Sequence, residues 1–366
     1  MSRLPLKVAF DHRAARVNRE GIGRYGRELT RALVEREDVR LGLWASTLKA
    51  APADATVDAL AHVRRWRVPS KLQAPLIRLA GGLDALFDAD VVHHAQLRPL
   101  PVRRAPETAM LFDLLFWEPN GAFLDAEVAR AMRARATALA DRCERLQVPC
   151  DFVAQQVAER LKFDRDRIDV VLLGADHLER VAPDPALVPD TPFVLTHARL
   201  DPRKGLDVAL AAFERLVDAG LPHRWCVSGP VGYRGDAILD QLRSSPVAKR
   251  IDVLGAVTDA QLRALYRAAD QFWFPSRGEG FGLPPLEAMR EGAPVLCARG
   301  SSLDEVAVPG AAASPELDGE AWFEAARGLL EDRSAAADAS RRGRTWASGF
   351  TWEACGAASV ASWLRA

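Results

Sequence analysis

Two glutamates, Glu279 and Glu287, stand eight positions apart in the part of this sequence whose residue types could best perform chemistry. Gly280, Phe281 and Gly282 directly follow the first of them. Backbone N–H groups in a glycine loop and at a helix N-terminus suit an anionic ligand such as phosphate. Carboxylates accept hydrogen bonds from hydroxyl groups, such as those of a sugar or a ribose. The combination indicates a site for a ligand that carries both phosphate and hydroxyls, as a nucleotide sugar does.

A second group of reactive side chains lies in the stretch HARLDPRKGLDVAL, residues 197–210. Arg199 is expected to leave a strand, and Lys204 to close the loop just before Gly205 and a helix. Two fixed cations beside a helix N-terminus can neutralise a diphosphate leaving group as its charge develops. Arg203 is a neighbour that we do not choose as a candidate. The alternative is a solvated basic turn that caps a helix.

The elements around these residues must bring them together. Residues 271–276, QFWFPS, predict a short buried strand, and LPPLEAMREG predicts a helix with prolines in its first turn, where a missing N–H costs least. Short apolar strands alternate with amphipathic helices along the chain, which is typical of an α/β fold with parallel sheets. The predicted strands are residues 6–10, 40–45, 91–94, 109–111, 146–148, 169–173, 193–196, 225–228, 251–254, 272–275 and 295–298, and the predicted helices of the first half lie near residues 22–35, 125–142 and 152–161.

The motif EGFGLPPLE resembles the E-x7-E signature of retaining GT-B glycosyltransferases of the large family 4. The resemblance extends to IDVLGAVTDAQLRALYRAAD before the motif, to APVLCARGSSLDEVA after it, and to GIGRYGRELTRAL near the start of the chain. It implies the GT-B fold, in which two Rossmann-like domains with parallel sheets face a central cleft. The relatives that look most similar transfer mannose or rhamnose-type sugars in bacterial polysaccharide assembly, including lipopolysaccharide.

The resemblance also implies a domain organisation. Residues 1–183 would form the acceptor-side domain, and residues 193–348 the domain that binds the nucleotide sugar. The proline-rich residues 184–192 between them predict a linker. Residues 349–366 predict a final amphipathic helix, which in proteins of this fold often returns to the first domain.

The resemblance assigns roles to the residues of both motifs. Glu287 would bind the ribose, Glu279 would contact the donor hexose, and the amides of Gly280, Phe281 and Gly282 would lie near that sugar and its phosphates. In the alternative reading, Glu287 is an exposed helix residue and Glu279 a loop residue. The pattern of Arg199 and Lys204 resembles the phosphate clamp R-x4-K-G of the family.

The glycine-rich sequence GIGRYG fits the dinucleotide fingerprint G-x-G-x-x-G only superficially. The first strand ends about ten residues too early, and no acidic residue ends the second strand as a ribose partner. Within the resemblance, Gly21 and Gly23 would let the backbone approach the transferred group or the acceptor. Arg24 would help to bind a phosphate there, and the alternative is an ordinary arginine on a helix surface.

One position departs from the family pattern. The family often has His-Asp-Leu at the strand that faces the acceptor, whereas this chain has Phe112, Asp113 and Leu114. Asp113 is therefore the candidate polar group on the acceptor side, where it would orient the attacking hydroxyl. Phe112 cannot take up a proton or hydrogen-bond a donor hydroxyl, so either the chemistry does not need the histidine, or acceptor handling differs, or activity is weakened.

Other polar patterns do not indicate a metal site. Asp88 and Asp90 form a D-x-D sequence, but they precede a predicted strand and are expected to cap or solvate a turn. His93 and His94 are neighbours on that strand and point to opposite faces, so a hydrogen-bonded structural histidine is expected. We expect no catalytic metal and no cofactor other than the nucleotide sugar that serves as donor substrate.

Composition excludes some classes of protein and favours others. The 366 residues suggest two domains, and the net charge of zero gives no field that would draw the chain to nucleic acid. Five scattered cysteines predict reduced thiols, and the N-terminal sequence reads as a strand rather than a signal peptide. These features favour a cytoplasmic protein, and no apolar run approaches the ~20 residues of a membrane-spanning helix.

The basic segment between Asp58 and Asp84 contains Arg and Lys residues but no acidic ones, with Trp66 and aliphatic residues between them. Such a segment could lie on an anionic membrane or bind a lipid-diphosphate acceptor. This would place the protein at the inner face of the membrane as a peripheral protein. The alternative is a solvated loop with an inward-facing tryptophan.

The motifs and the resemblance together imply a retaining, metal-independent hexosyltransferase. It would move a hexose from a nucleotide diphosphate sugar, with GDP-mannose or a related deoxyhexose donor as first guess, to a hydroxyl of a glycan or lipid-linked oligosaccharide. One alternative is a catalytically degenerate relative that binds a nucleotide sugar or glycan without transferring it. Another is a different GT-B enzyme, such as a nucleotide-sugar epimerase or a phosphorylase.

Overall fold

A computed structural model describes residues 4–18, 20–46, 55–118 and 123–366 of the chain. The chain divides into two compact units. The first comprises Met1–Trp117, Glu127–Gly174 and Thr351–Ala366, and the second comprises Glu118–Ala126 and Ala175–Phe350. The predicted linker, residues 184–192, therefore lies within the second unit.

The first unit is built on a parallel sheet, which has seven strands among the described residues. Its order is β3-β2-β1-β4-β5-β6-β7. The strands are β1 (Leu6–Asp11), β2 (Val39–Trp44), β3 (His62–Arg64), β4 (Val91–His94), β5 (Glu107–Met110), β6 (Arg145–Val148) and β7 (Ile168–Val170). The short edge strand β3 was not among the sequence predictions. It is only half-buried, so its sequence lacks the apolar run that marks the central strands.

Helices connect most of these strands, and the segment between β4 and β5 contains no helix. They are α1 (Arg13–Val17), α2 (Gly21–Val34), α3 (Ala55–Leu60), α4 (Ser70–Leu79), α5 (Leu83–Phe87), α6 (Ala126–Ala140) and α7 (Asp151–Leu161), with single 3-10 turns at Leu115–Trp117 and Arg165–Arg167. The core forms where the apolar faces of the helices meet the buried strands, with Phe10, Leu29 and Val92 fully buried.

The C-terminal residues complete this first unit. The Ser362 hydroxyl donates a 2.6 Å hydrogen bond to Asp169, whose carboxylate also receives bonds from Arg145 and Arg365. The ring of Trp363 packs 5.2 Å from that of His93. The terminal helix is thereby tied to β4 and β7 by both polar and apolar contacts.

The second unit contains a parallel sheet, with five strands in the part of the chain that the structure describes, in the order β10-β9-β8-β11-β12. The strands are β8 (Phe193–His197), β9 (Arg224–Ser228), β10 (Ile251–Gly255), β11 (Gln271–Phe274) and β12 (Val295–Cys297). The helices are α8 (Leu206–Asp218), α9 (Gly235–Ser244), α10 (Asp259–Ala268), α11 (Leu283–Glu291), α12 (Leu303–Val306), α13 (Gly319–Glu331) and α14 (Arg333–Ala347); the terminal helix of the first unit is α15 (Trp352–Trp363).

Three fully buried tryptophans, Trp225, Trp273 and Trp322, lie in the core of the second unit. Trp273 donates its indole N–H to the side chain of Gln271, which in turn donates to the carbonyl of Ala326 on α13. The polar tip of a large apolar side chain is thus satisfied without water. These contacts fix β11, the strand that leads into the glutamate motif.

The segment predicted as a linker packs on α10. The N–H of Asp184 donates to the carbonyl of Ala260, and Arg263 donates to the carbonyl of Val181. Residues 185–187 form a 3-10 turn capped by the Asp184 side chain. The proline density therefore corresponds to a segment that follows the surface of the second unit.

The predicted α/β fold class, with strands and helices alternating around two parallel sheets, is confirmed. Across the described parts of the chain, no helix has both the length and the apolar character needed to span a bilayer.

Candidate active site

The two sequence motifs of the second unit converge because β8 and β11 are neighbours in the sheet. Both strands are parallel, so the loops that follow them emerge at the same carboxyl edge, where α/β folds bind ligands. The loop after β8 passes through a 3-10 turn at Pro202–Lys204 and then Gly205. Gly205 has φ +65°, and a Cβ there would lie 1.9 Å from the carbonyl oxygen of Pro275. Glycine therefore allows the two loops to touch.

A buried ion pair joins the two motifs. The Lys204 ammonium lies 2.5 Å from Oε1 of Glu279, and the hydroxyl of Ser276 donates to the same oxygen at 2.5 Å. Lys204 also lies 5.0 Å from the centre of the Phe274 ring. Lys204 and Glu279 are 9% and 8% exposed, so water screens their interaction little.

Arg203, which the sequence analysis did not choose, is part of this cluster. Its Nη1 lies 2.9 Å from Oε1 of Glu279 and donates to the carbonyl of Gly278. The 3-10 turn points consecutive side chains into the same loop, so Lys204 and Arg203 share one carboxylate oxygen. The only sequence signal for Arg203 was its position next to Lys204, but the direction of each side chain depends on the backbone turn.

Arg199 occupies a different position from Lys204. Its Nε donates to Oδ2 of Asp201 at 3.1 Å, and its side chain is 40% exposed. Gly232, in the loop after β9, lies against the stem of Arg199, since a Cβ there would be 2.7 Å from Cγ of Arg199. The structure thus places Arg199 at the same edge of the sheet but does not bring it into contact with Glu279. Asp201 and Gly232 were missed by the sequence analysis.

The electrostatics of the cluster keep Glu279 ionised. Burial raises the pKa of its carboxyl, but Arg203 and Lys204, with the hydrogen bonds of Lys204 and Ser276, outweigh burial and hold that pKa at about 2. Burial lowers the pKa of Lys204, and the charge of Arg203 adds to this, while Glu279 opposes it. Asp201 pairs with Arg199 and lies near Arg203, so the loop carries three cations and two anions in all, which favours a further anionic group nearby.

Glu287 is buried rather than exposed on the helix surface, because it lies one turn into α11 and faces α10. The hydroxyl of Tyr266 donates to its Oε2 at 3.1 Å, and Nε2 of His177 lies 3.1 Å from its Oε1. Two partners therefore fix the orientation of this carboxylate. Neither partner was predicted from the sequence.

The glycine loop between the glutamates has structural reasons of its own. Gly282 has φ +100°, and a Cβ there would lie 2.5 Å from Leu303. The ring of Phe281 packs 6.1 Å from that of Phe350. The Ser302 hydroxyl lies 2.9 Å from the carbonyl oxygen of Glu279, which secures the loop against the start of α12. The backbone of the loop is thus fixed at the N-terminus of α11, where a phosphate would be favoured.

In the first unit, Gly21 and Gly23 begin helix α2 but differ in their surroundings. A Cβ on Gly21 would meet nothing within 4 Å, whereas one on Gly23 would lie 1.8 Å from the carbonyl oxygen of Asn18. Gly23 is therefore explained by packing, and Gly21 has open space above it. Arg24 is half-buried in the first turn of α2. The ligand roles of all three remain predictions.

Asp113 and Phe112 follow β5. Asp113 accepts a 3.1 Å hydrogen bond from the N–H of Leu115, which starts the 3-10 turn at Leu115–Trp117. The ring of Phe112 packs edge-on against Tyr25, with centroids 5.1 Å apart. A local capping role for Asp113 is established, and its role toward an acceptor remains a prediction.

The D-x-D sequence and the two histidines have structural roles. Asp88 ends α5 with φ 49° and pairs with the Lys7 side chain, and Asp90 accepts the N–H of Lys7. His93 is hydrogen-bonded to Tyr25 and Thr108, and His94 to Glu107, which confirms the expected hydrogen-bonded histidines. Among the described residues, no three or more His, Cys, Asp or Glu side chains cluster so as to hold a metal ion.

Comparisons with known proteins agree with this geometry. Residues 179–346 match the family of glycosyl transferases group 1. The chain is 28% identical to the O-antigen chain mannosyltransferase B of Escherichia coli over an alignment of 374 positions, which covers 96% of this chain and 97% of that protein. It is 34% identical over 215 residues to the D-inositol 3-phosphate glycosyltransferase of Nocardia farcinica, and this match covers 54% of this chain and 48% of that protein. The chain thus spans about half the length of the latter relative.

Solved structures show the same fold. A sucrose-phosphate synthase from Thermosynechococcus elongatus superposes with a TM-score of 0.77 at 19% identity, covering 99% of this chain and 98% of that one. Anabaena HepE, solved in complex with UDP and glucose, superposes with a TM-score of 0.73 at 17% identity, covering 98% and 99% of the two chains. The fold is therefore GT-B. Residues 179–346 match glycosyl transferases group 1, and the resemblance to family 4-like GT-B glycosyltransferases is confirmed.

Proposed function

We propose that this protein is a retaining, metal-independent hexosyltransferase that uses a nucleotide diphosphate sugar as donor. The observation that carries the proposal is the buried cluster of Lys204, Arg203 and the ionised Glu279 at the carboxyl edge of β8 and β11. Together with Arg199 and Asp201, this cluster has three positive and two negative charges, and its position beside the fixed N-terminus of α11 suits a diphosphate. The match of this region to glycosyl transferases group 1 supports the same reading.

In the proposed reaction, the bond between the anomeric carbon and the β-phosphate oxygen breaks, and its electron pair stays on the phosphate. Lys204 and Arg199 stabilise the negative charge that develops on the diphosphate. The acceptor hydroxyl attacks the anomeric carbon from the face that the phosphate leaves, and its proton passes to the departing phosphate oxygen. Retention then follows without a covalent enzyme intermediate.

The remaining site residues have proposed binding roles. Glu287, already oriented by Tyr266 and His177, accepts hydrogen bonds from the ribose hydroxyls. Glu279 accepts hydrogen bonds from hydroxyls of the donor hexose. Gly280, Phe281 and Gly282 supply backbone N–H groups for the sugar and its phosphates. On the acceptor side, Asp113 orients the attacking hydroxyl, while Gly21, Gly23 and Arg24 contribute to binding of the transferred group or a phosphate.

We further propose a GDP-mannose or related deoxyhexose donor, and a glycan or lipid-linked oligosaccharide acceptor in cell-surface polysaccharide synthesis. The full-length similarity to an O-antigen chain mannosyltransferase supports this choice of pathway class. A lipid-linked acceptor would place the protein at the cytoplasmic face of the membrane as a peripheral protein.

The first test is a thermal-shift panel of UDP, GDP, TDP and their common sugars, each with magnesium and with EDTA. Selective stabilisation by GDP and GDP-mannose, equal in magnesium and in EDTA, is the expected result. The Glu287→Gln variant should lose most of the stabilisation by nucleotide. Selective binding of another nucleotide would overturn the donor assignment, and a strict need for magnesium would overturn metal independence.

The catalytically degenerate alternative has one observation in its favour. Phe112, in place of the family histidine, packs against Tyr25 and offers no polar atom to a sugar. A degenerate protein would bind the donor in the thermal-shift panel but release no free nucleotide when acceptor is added. An epimerase would instead convert the donor without any acceptor, and chromatography of the sugar nucleotides would detect that product.

A further inference from the structure

The first unit has an open pocket at the edge of its sheet opposite to the predicted acceptor residues. Its volume is about 750 Å³, and it is lined by Arg78, Arg103, Arg142 and Glu107, with Gly81 and Gly82 among the other lining residues. Glu107 begins β5, so the pocket lies at the amino edge of the sheet, whereas Asp113 follows the carboxyl end of β5. The pocket is therefore separate from Asp113 and the other predicted acceptor residues at the carboxyl edge of this sheet.

Ordered backbone segments carry Arg78 and Arg103. The carboxylate of Asp84 accepts the N–H groups of Arg103, Arg104 and Ala105, which fixes the loop that carries Arg103. Gly82 has φ +101°, and a Cβ there would lie 3.0 Å from the N of Arg103, so this glycine lets the loop approach. Arg78 lies in the last turn of α4.

Acidic groups around the pocket are already engaged. Glu107 receives hydrogen bonds from Arg142 at 2.6 and 3.2 Å and lies 2.8 Å from Nε2 of His94. Arg142 also donates to the carbonyl of Leu100. Its bonds to the described residues thus use three of its five N–H groups, and two remain for a ligand. Arg78 and Arg103 are both exposed. The lining thus carries three positive charges and one negative charge, which suits a phosphate group.

Helix α4 adds an apolar stripe beside this pocket. Leu72, Leu76 and Leu79 recur at i, i+4 and i+7, so they share one face of the helix. They are 52%, 37% and 86% exposed, and Leu79 also lines the pocket. The opposite face of α4 buries Gln73 and Ile77. The helix therefore presents leucines to solvent directly beside clustered arginines.

Trp66, by contrast, does not join this surface. Its ring centroid lies 5.0 Å from that of Trp44, so the side chain faces inward, and its backbone N–H donates to the hydroxyl of Ser46. Arg65 pairs with Asp58, and Arg64 donates to the carbonyl of Leu86. The basic stretch around Trp66 thus has internal partners, and the exposed candidate surface is α4 together with the pocket.

We infer that this surface binds an anionic phospholipid: Arg78, Arg103 and Arg142 hold the phosphate of the headgroup in the pocket, and Leu72, Leu76 and Leu79 enter the apolar part of the bilayer. Arginines that bind a headgroup phosphate, beside leucines exposed on α4, match the order of polar and apolar layers at a membrane surface. The inference rests on the first unit alone and does not depend on the proposed transfer reaction.

The test is co-sedimentation of the full chain with vesicles of phosphatidylcholine alone or mixed with phosphatidylglycerol, at physiological ionic strength. Binding to the mixed vesicles only is expected. The double variant Arg78→Ala, Arg103→Ala should bind them about thirty-fold more weakly, from ~1 kcal/mol for each basic residue at the surface. Leu79→Ser should weaken binding roughly tenfold through lost burial of the side chain. Thermal unfolding should remain cooperative in all variants, because the altered side chains are exposed.

The matched control is Arg243→Ala, Arg341→Ala, which removes the same charge from exposed positions of the second unit. It should bind like the unaltered protein. Equal losses in control and pocket variants would show a diffuse charge effect and overturn the inference, as would unchanged binding by the pocket variant. Glycerol 3-phosphate serves as the soluble probe. If this anion binds the unaltered protein but not the double variant, and no vesicles are bound, the pocket would be assigned to a free phosphate compound instead. Donor binding by the thermal-shift panel is a separate readout, so failure here leaves the proposed function standing.

Discussion

The carboxyl edges of the two sheets differ in the charge of the polar groups that are buried there. In the second unit, this edge concentrates charge: Lys204 and Arg203 converge on the ionised carboxylate of Glu279. In the first unit, the ends of β4 and β5 concentrate neutral groups: His93 lies between the hydroxyls of Tyr25 and Thr108, and Phe112 covers Tyr25. The same strand-loop-helix geometry thus supports a charged cluster at β8 and β11 and a packed polar network at β4 and β5, while the end of β1 in the first unit has one ion pair, between Asp11 and Arg13.

The pKa values express this difference. Burial, with the nearby His94, lowers the pKa of His93 to about 3, so this imidazole is neutral near pH 7 and takes no part in charge stabilisation. The pKa of Glu279 is about 2, so its carboxylate is charged near pH 7. A buried charge is retained only when partners compensate its desolvation, and here those partners are also the groups suited to a diphosphate. Chemistry that stabilises charge should therefore depend far more on the second unit than on the network around His93.

Removing Lys204 should produce the largest effect. In Lys204→Ala, turnover should fall by about 10²–10³-fold, as for the loss of one preorganised group that stabilises developing charge. Steady-state release of nucleotide, with donor and acceptor at saturation, measures this. The matched control is Lys249→Ala, which removes an exposed lysine from the same unit and should leave turnover unchanged. Turnover within threefold of the unaltered protein for Lys204→Ala, with intact folding, would contradict the clamp.

The acid stability of the protein should also depend on Glu279. Its folded-state pKa of about 2 lies below the ordinary value of 4.5, so its ionisation stabilises the fold above about pH 4.5, and that contribution is lost as the pH falls toward 2. Urea unfolding at several pH values should show that the unaltered protein loses roughly 2–3 kcal/mol more than Glu279→Gln over this window. Parallel pH profiles for the two proteins would mean that the carboxylate is not held in the charged cluster.

The two arginines of the loop should separate into different roles. Arg203 is mostly buried and contacts Glu279, whereas Arg199 is 40% exposed and contacts Asp201. We expect Arg203→Ala to lower the free energy of unfolding by about 2 kcal/mol, because it removes a partner of a buried charge, and Arg199→Ala by under about 1 kcal/mol. Arg199→Ala should instead act mainly on turnover. Urea titrations and initial rates on the same preparations test both statements. If Arg199→Ala lowered mainly the stability and Arg203→Ala left it unchanged, Arg199 would have the structural role and Arg203 would have none in the cluster.

Much of this site could be predicted from the sequence, because short apolar strands followed by glycine loops have few alternatives in an α/β chain. The pairing of β8 with β11 then brings the two motifs together. The contact of Arg203 with Glu279 could not be predicted, because the direction of each side chain depends on the 3-10 turn before Gly205. The same applies to His177, which reaches Glu287 from a position 110 residues earlier in the chain.

Glycines were the least reliable sequence signal for a ligand-binding site. Their presence suggested ligand approach at Gly23 and Gly282, but the Asn18 carbonyl and the Leu303 side chain already require glycine there. Only a structure separates a glycine needed by packing from one that leaves space for a ligand, as at Gly21. The edge strand β3 was missed for a related reason, since one exposed and two half-buried residues carry too little pattern to predict a strand.

The smallest effect is expected from restoring the family histidine in the first unit. In Phe112→His, turnover should stay within about threefold of the unaltered protein, because a reaction driven by charge stabilisation on the leaving group gains little from an added base. Loss of the edge-on contact with Tyr25 should reduce the free energy of unfolding by about 1 kcal/mol, and Phe112→Leu, which loses the same aromatic contact without adding a polar atom, is the control for that loss. A rise in turnover above tenfold in Phe112→His but not in Phe112→Leu would mean that the first unit supplies acceptor chemistry that this chain has weakened. The contrast between the charged cluster at β8 and β11 and the neutral network at β4 and β5 would then no longer separate the chemistry of the two units.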